Sequence, residues 1–479
     1  MMGPESAGGI VIAGTGSGVG KTSVALGVAR ALARRGIRVQ SFKVGPDFLD
    51  PTYLGRAAGR ICYNLDTWMS GDEYVKSLYA KHTQGNAMGI VEGAMGMFDG
   101  PSPASSNGST AHVAGILGLP VILVVNAHGA ARSLCAMVKG FSIFDDRVAV
   151  AGVVANQAGS ERHARMIAEA LQSDGLPPLV GSIPRNSLPE LKRRHLGLVN
   201  AGEQGDAEAV LDGLGDCMEK FLDMTAIAAI AGSGDGIRNS RLRNFPPHPI
   251  ERPVVRMGIA SDPAFCFTYP DNLECFESAG AAWVPFSPCR DGALPEGIDA
   301  LYLPGGYPEL HARTLSANTG MISSIREFAA SGRLIYAECG GLMYLSRGLV
   351  DHDGHNYPMA GILPVETRMN PRLRRLGYTS VSLTQPCCWG NSGDRLRGHE
   401  FHYSEIVDDD IGPNYLSEGW EPCYRLENRS GIVSEGFLRG NILASYVHLH
   451  WASSPQAAGS FVRYALAASL RAEQNKETA

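Results

Sequence analysis

No stretch of this chain is apolar for long enough to cross a bilayer. The longest apolar runs, Leu119–Val125 and Ala226–Ala231, fall far short of the roughly 18–20 residues a span requires. Basic residues are not in excess: 42 Lys and Arg stand against 48 Asp and Glu, a net charge of −6. A general electrostatic grip on nucleic acid is therefore not expected. The ten cysteines contain no CxxC pair and no regular spacing, so they read as reduced thiols. Met1–Gly9 has neither a basic n-region nor an apolar h-region, so no secretory signal is expected. No internal repeat of fixed period is visible. These absences point to a cytoplasmic protein with no membrane partner. What is present suits large packed cores: 44% of the 479 residues are hydrophobic and 19% charged, and the length predicts two to four domains.

The first half alternates short β-branched runs with helical stretches. Strands are expected at Gly9–Ala13, Arg38–Val44, Gly89–Val91, Val121–Asn126 and Val148–Ala155, with a helix over Val19–Arg35. Strands that are apolar throughout suit a parallel sheet covered on both faces. Gly232–Pro253, rich in Gly, Pro, Arg and Asn, reads as a linker with the boundary near residue 245. The alternation then restarts, with strands at Val255–Ala260, Ala281–Val284, Ala300–Leu303 and Arg333–Ala337. Helices are expected at Asn318–Ala330, Gly341–Gly348 and Ser454–Leu470, and Arg471–Ala479 is expected to fray. The fold class is two α/β domains. The expected limits are 1–235 for the first, 236–253 for the linker and 254–479 for the second.

The segment Gly14-Thr15-Gly16-Ser17-Gly18-Val19-Gly20-Lys21-Thr22-Ser23 follows a strand and opens a helix. Glycines let successive N–H groups curl toward an anion, and the helix N-terminus adds its positive end. Lys21 can reach the β- and γ-phosphates, and Thr22 can coordinate Mg²⁺. The strict spacing wants a small residue where Thr15 stands, so the loop is a lengthened variant. The second lysine of partitioning-type ATPases is missing, because Gly16 occupies its place. Lys43 leaves the next strand, followed by Asp47 and Asp50. Glu92 ends a third apolar strand, and Asp99 follows in Met97-Phe-Asp99-Gly100. Acidic groups from two strands beside such a loop can clamp a metal for phosphoryl transfer, Asp50 and Asp99 are candidates for orienting the substrate, and the alternative for Asp47, Asp50 and Asp99 is turn formation.

In the second half, Leu334-Ile-Tyr-Ala-Glu-Cys339-Gly340-Gly-Leu is a strand, a tight glycine turn and a helix start. This elbow exposes a nucleophile, and the helix end is expected to lower the thiol pKa. Gly305-Gly306 ends another strand. Its N–H groups could form half of an oxyanion hole, with the N–H after Cys339 supplying the rest. His448 is a candidate base. His399 and His402, three apart on a strand, are expected to face opposite sides, against a zinc site. Asp351–His355 reads as a polar hairpin tip, and nothing is drawn from Cys387–Cys388.

Together GTGSGVGKTS, FKVGPDFLDPTY, VEGAMGMFDG, NAHGAARS, RHLGLV, YLPGGYPEL, AECGGLMYL, GHEFHYS and SYVHLH resemble the cobyrinate a,c-diamide synthase family over nearly the whole chain. The first half is similar to dethiobiotin synthetase in its loop, and the second to class I glutamine amidotransferase domains. The resemblance implies that ATP phosphorylates a corrinoid carboxylate and that the second domain frees ammonia from L-glutamine through a Cys339 thioester. Ammonia then displaces phosphate, at the c and a acetates in turn, after crossing an interdomain passage. It implies Cys339 as nucleophile and His448 as base. It implies Lys21, Thr22, Lys43, Asp47 and Glu92 as ATP–Mg²⁺ positions, and Asn156 as an adenine contact. Many class I domains carry His-x-Glu, whose Glu orients the His. Here His450 stands in the Glu's place, so the third member of a triad is missing from its usual position. Relatives acting on hydrogenobyrinate or nickel-sirohydrochlorin share these motifs, so the macrocycle stays open. A cobyric acid synthase is disfavoured by Lys43-Val-Gly-Pro-Asp47. A non-catalytic switching ATPase with a partner-binding second domain is disfavoured by the intact Lys21, Cys339 and His448. Oligomeric state is not legible.

Overall fold

The computed structural model describes residues 8–85, 87–194, 197–198, 200–202, 205–233, 254–407, 419–428 and 431–478. The chain divides into two compact units, Met1–Phe245 and Pro246–Ala479. The expected linker, 236–253, lies outside the described residues.

The first unit is built on β1 (Gly9–Gly14), β2 (Val39–Val44), β3 (Tyr63–Leu65), β4 (Met88–Glu92), β5 (Val121–Asn126), β6 (Val150–Ala158) and β7 (Leu179–Pro184). All are parallel, in the order β3-β2-β4-β1-β5-β6-β7. Ile10, Val11, Ile12, Ile90, Val91, Leu123 and Val124 are fully buried, as a sheet covered on both faces demands. β4 runs one residue past its expected end, so Glu92 enters the ladder beside Ile12 on β1 and Lys43 on β2. The first helix, Lys21–Arg34, begins two residues later than expected. Gly20, at φ 102°, cannot join a right-handed helix. This helix packs on helix Ala207–Phe221 at Gly27, where a Cβ would come within 2.7 Å of the Leu214 carbonyl oxygen. A short ladder of β8 (Arg193–Arg194) and β9 (Gly197–Leu198) follows the main sheet.

The second unit opens with β10 (Val255–Ala260), β11 (Ala281–Phe286), β12 (Ala300–Leu303) and β13 (Leu334–Glu338), all parallel. A small sheet holds β14 (Gly348–Val350), β15 (Asn356–Pro358), β16 (Glu366–Met369) and β19 (Ser404–Val407). The large sheet continues through β17 (Arg375–Leu383), β18 (Arg395–His402), β20 (Glu421–Asn428), β21 (Gly431–Arg439), β22 (Ile442–Ser445) and β23 (His448–His450). Its order is β11-β10-β12-β13-β22-β21-β20-β17-β18-β23. β22 and β23 are two residues apart in sequence yet sit five strands apart in that order. The antiparallel half must therefore curl until its last strand returns beside its first. Alternate residues feed two cores: Leu301, Leu303, Ile335 and Ala337 one, Ala300, Tyr302, Leu334 and Tyr336 the other.

Two expectations need correction. The helix after Cys339 spans only Gly340–Leu345, because Gly348 already starts β14. The last helix runs Ala457–Thr478, so the expected fraying of Arg471–Ala479 does not occur through Thr478. Ala468 and Ala472 are buried on its inner face, which ties the polar end down.

Candidate active sites

In the first unit the loop Gly14–Ser23 joins β1 to its helix. Gly14 is closely packed: a Cβ there would lie 2.6 Å from Val19 Cγ2 and 2.8 Å from Lys21 Cγ. Gly16 and Gly18 face open space. The loop is thus closed below and open above, as a phosphate cradle must be. Lys21 Nζ donates to the Gly16 carbonyl at 2.8 Å, folded back over the loop it would serve. Burial and then the nearby Lys43 hold its pKa below the ordinary lysine value. Asn156 donates from Nδ2 to the Val19 carbonyl at 2.9 Å, and its Oδ1 accepts the Gln157 N–H. Its amide therefore braces the loop and keeps a second N–H and a second lone pair in hand.

The acidic residues converge on Lys43. Its ammonium donates to Asp50 Oδ2 at 2.5 Å and Glu92 Oε1 at 2.9 Å, with Asp47 Oδ2 at 3.8 Å. Thr22 Oγ1 donates to the same Glu92 oxygen at 2.5 Å. The Lys43–Glu92 contact follows from the register, since the two are cross-strand neighbours at the carboxyl ends of β2 and β4. Burial pushes Glu92 up to about 7 against the pull of Lys43. Burial, and then Asp50, push Asp47 up to about 6. Burial opposes the charge on Lys43, but Asp50, Glu92 and Asp47 together raise its pKa well above normal. The other Glu92 oxygen, Oε2, is buried and has no hydrogen-bond partner among the described residues. Asp47 also accepts the N–H groups of Leu49 and Asp50, so it shapes a turn as well as facing the lysine. Asp99 accepts from Gly96 N at 2.8 Å, and the turn it closes packs on the loop through Met97 N to the Gly14 carbonyl, 2.8 Å.

In the second unit Cys339 directly follows β13 at φ 47°, ψ −100°, a conformation that costs a non-glycine residue about 1–3 kcal/mol. The surroundings impose it. Cys339 N donates to the Ser445 carbonyl at 2.7 Å, while Gly340 and Gly341 press against the β12 loop. A Cβ on Gly341 would lie 2.0 Å from the Leu303 carbonyl oxygen, and one on Gly340 3.0 Å from Gly306 N. Gly305 in turn touches His448, whose Cε1 would be 2.3 Å from an added Cβ. The Gly305-Gly306 turn therefore lies against both the elbow and the imidazole. The expected lowering of the thiol pKa does not appear. Burial and then Glu309 push the Cys339 thiol up, outweighing the Gly340 N–H, and the following helix has only six residues to supply a dipole.

His448 is 2% exposed. Burial, then His399, hold its pKa well below the usual histidine value. His399 stacks on its ring at 5.0 Å, while His402 stacks on Tyr446 at 4.1 Å. His450 does not take the part of a glutamate: its Nε2 lies 3.2 Å from Asp271 Oδ2, and its ring lies against Tyr269. One residue not singled out from sequence enters here. Glu338 is buried and lies with Oε2 4.0 Å from His448 Nδ1. Its signal was the one that singled out Glu92, a carboxylate directly after an apolar strand.

Elsewhere, Asp351 accepts the N–H groups of Asp353 and His355 in the turn between β14 and β15, a hairpin tip. No disulfide joins the cysteines among the described residues. Among the described residues, no helix is long and apolar enough to cross a membrane.

Residues 10–199 match the family described as the CobQ/CobB/MinD/ParA nucleotide binding domain. Residues 256–456 match the CobB/CobQ-like glutamine amidotransferase domain. The chain is 50% identical over 460 residues to a cobyrinate a,c-diamide synthase of Syntrophotalea carbinolica, covering 95% of this chain and 98% of that one. It is 41% identical to that of Leptospira interrogans, covering 95% and 98%. To a hydrogenobyrinate a,c-diamide synthase of Rhodobacter capsulatus it is 39% identical, covering 92% and 98%.

Two stability predictions follow from the packing. Lys43→Met leaves the buried Glu92 and the half-buried Asp50 without their cation, so the first unit should lose about 3–5 kcal/mol in urea unfolding. A loss below about 1 kcal/mol would mean that the cluster is not held by this ion pair. Gly341→Ala forces a methyl into the Leu303 carbonyl and should destabilise the second unit by about 1–3 kcal/mol. An unchanged midpoint of thermal unfolding would show that the elbow and the β12 loop are not in contact.

Proposed function

The chain belongs to the cobyrinate a,c-diamide synthase family, and on that premise we propose that it converts the a and c acetate carboxylates of cobyrinate to amides, using ATP and L-glutamine. The observation that carries this reading is the presence, in one chain, of a phosphate-shaped loop ending in Lys21 and a strained thiol elbow flanked by Gly306 and His448. Amidation needs both. Carboxylate is a poor electrophile at neutral pH, and water cannot supply nitrogen.

Residues 1–235 would form the synthetase domain. A carboxylate oxygen of the corrinoid attacks the γ-phosphorus, ADP leaves, and an acyl phosphate remains. Lys21 would move from the Gly16 carbonyl to the phosphates as charge develops on them. Lys43, fixed between Asp50 and Glu92, places a second positive charge at the same strand ends. Asp50 and Asp99 would orient the substrate, and Asn156, which also supports the loop through the Val19 carbonyl, would contact the adenine. The residues present fit Mg²⁺. Glu92 offers a buried oxygen with no hydrogen-bond partner among the described residues, Thr22 lies beside it, and Asp47 faces the same Lys43 ammonium, a hard oxygen set. These three would hold the ion, which when bound neutralises phosphate charge.

Residues 254–479 would form the glutaminase domain. His448 takes the thiol proton and the Cys339 sulfur attacks the amide carbon of glutamine. The oxyanion is received by N–H groups of Gly305, Gly306 and Gly340. Ammonia leaves with a proton returned by His448, and water then hydrolyses the thioester to glutamate. Ammonia attacks the acyl phosphate carbon and phosphate departs. The elevated thiol pKa supports a proton transfer coupled to attack, rather than a thiolate waiting in the empty site.

Hydrogenobyrinate is the second reading. The similarity to the Rhodobacter capsulatus relative, 39%, is close to the 41% shown by the Leptospira interrogans one.

Cys339→Ala should abolish glutamine-dependent amidation and keep activity with added ammonium within about twofold of wild type. Equal loss with both donors would sink the division of labour. Lys21→Ala should stop amidation with either donor, and persistence with ammonium would remove the loop from the chemistry. The nucleotide product should be ADP, and AMP would mean adenylation instead. Mass spectrometry after separate incubation with cobyrinate, hydrogenobyrinate and nickel-sirohydrochlorin decides the macrocycle. The expected result is two amides on cobyrinate.

A further inference from the structure

Resting on the glutaminase reading above, we infer that Glu338 is the positioning carboxylate of His448, supplied by the strand that precedes the nucleophile. The residue two places after the histidine, His450, is engaged with Asp271 and is not a carboxylate.

Glu338 is the last residue of β13 and is buried. It adjoins Cys339 in sequence but points to the other face of the strand, with Tyr302 and Tyr336. Its Oε1 accepts the Tyr336 hydroxyl at 2.6 Å and the Leu449 N–H at 3.1 Å. Its Oε2 accepts the Tyr302 hydroxyl at 2.8 Å and lies 4.0 Å from His448 Nδ1. Three donors thus converge on one side chain, and an acceptor-only group with two oxygens suits that demand best. The carboxylate acts on His448 twice. Through Leu449 N it fixes the backbone of β23 one residue away, and through Oε2 it faces the ring nitrogen.

With Nδ1 turned to Glu338, Nε2 is the nitrogen left to exchange a proton with Cys339. A negative charge at that distance stabilises the imidazolium formed when the thiol gives up its proton. The 4.0 Å separation is longer than a hydrogen bond, and such contacts commonly tighten when substrate binds. The other groups around the ring are otherwise engaged. His399 is stacked on it and contacts the Tyr269 hydroxyl. Glu400 accepts from Thr379 and Asn428, and Glu309 acts on the thiol of Cys339. Burial pushes Glu338 up to about 7, with the two tyrosine hydroxyls pulling the other way. The carboxylate is therefore anionic above about pH 7 and neutral below it.

The test uses the full chain and Glu338→Gln. Glutamine-dependent kcat should fall about 10²-fold, the low end of what an acid–base device contributes, with KM for glutamine within about twofold. Ammonium-dependent amidation should be unchanged. Glutaminase kcat/KM followed against pH should lose its acidic midpoint, because glutamine cannot ionise where the carboxylate did. A merely structural role would lower the unfolding temperature and leave that midpoint where it was, and that result overturns the inference. Tyr336→Phe covers the case in which Glu338→Gln does not fold. It removes one hydroxyl donor, which raises the carboxylate pKa, so the acidic limb of glutaminase kcat/KM should move to higher pH. An unmoved limb also overturns the inference. Failure here with wild-type glutaminase activity intact leaves the proposed function standing, whereas absence of wild-type glutaminase activity removes both.

Discussion

A parallel strand covered on both faces has room for a charge only at its carboxyl end, and both units of this protein are organised by that constraint. Along β4 the residues Ile90 and Val91 are sealed, and the first ionisable group the strand can carry is Glu92. Along β13 the residues Leu334 to Ala337 are sealed, and the first is Glu338. Each carboxylate arrives where its strand meets a turn and where chemistry can reach it. Neither is left bare. Glu92 is met by Lys43 and Thr22, Glu338 by two phenols and a backbone N–H. Buried carboxylates without such partners would take up protons or unfold their surroundings.

The glycine-rich loop, the elbow and the two-unit α/β plan were legible because each rests on local rules. A loop of glycines between strand and helix, and a cysteine before Gly-Gly, say what the backbone must do. What was not legible depends on register and curling. Lys43 meets Glu92 only because β2 and β4 are neighbours in the sheet, 49 residues apart in sequence. His448 meets the Gly305 turn only because β22 sits beside β13, and β23 follows after two residues. No periodicity reports such neighbours. Glu338 was within reach, since the rule that marked Glu92 marks it equally. It was hidden by adjacency to Cys339, whose chemistry drew the reading to the wrong face of the strand. The thiol pKa was misjudged for a related reason. A helix N-terminus visible in sequence was weighed without the burial that only the packed β12 loop supplies.

The strained turn at Cys339 explains why the glycines near it are not interchangeable with alanine. A residue held at φ 47° persists only if its neighbours over-determine it. Here the Ser445 carbonyl holds its N–H, and the helix start is pressed into the β12 loop at Gly341 and Gly340. The next glycines are equally confined, Gly305 by the His448 ring and Gly306 by the Ala264 carbonyl oxygen.

The two carboxylates also differ in a way that fits the tasks proposed for them. Glu92 faces a permanent cation, so its charge is balanced before any ligand arrives, and the group that answers phosphate is the lysine loop beside it. Glu338 faces neutral hydroxyls and a histidine whose pKa is lowered by burial, so its charge is balanced only when that histidine takes a proton. A buried ion pair made in advance would hold His448 as imidazolium and unable to accept the thiol proton. Phenols hydrogen-bond a carboxylate without neutralising it, and they leave its field available to the imidazole at the moment the proton moves. The choice of tyrosine at 302 and 336, rather than lysine or arginine, is therefore consistent with a base that must begin neutral and end charged.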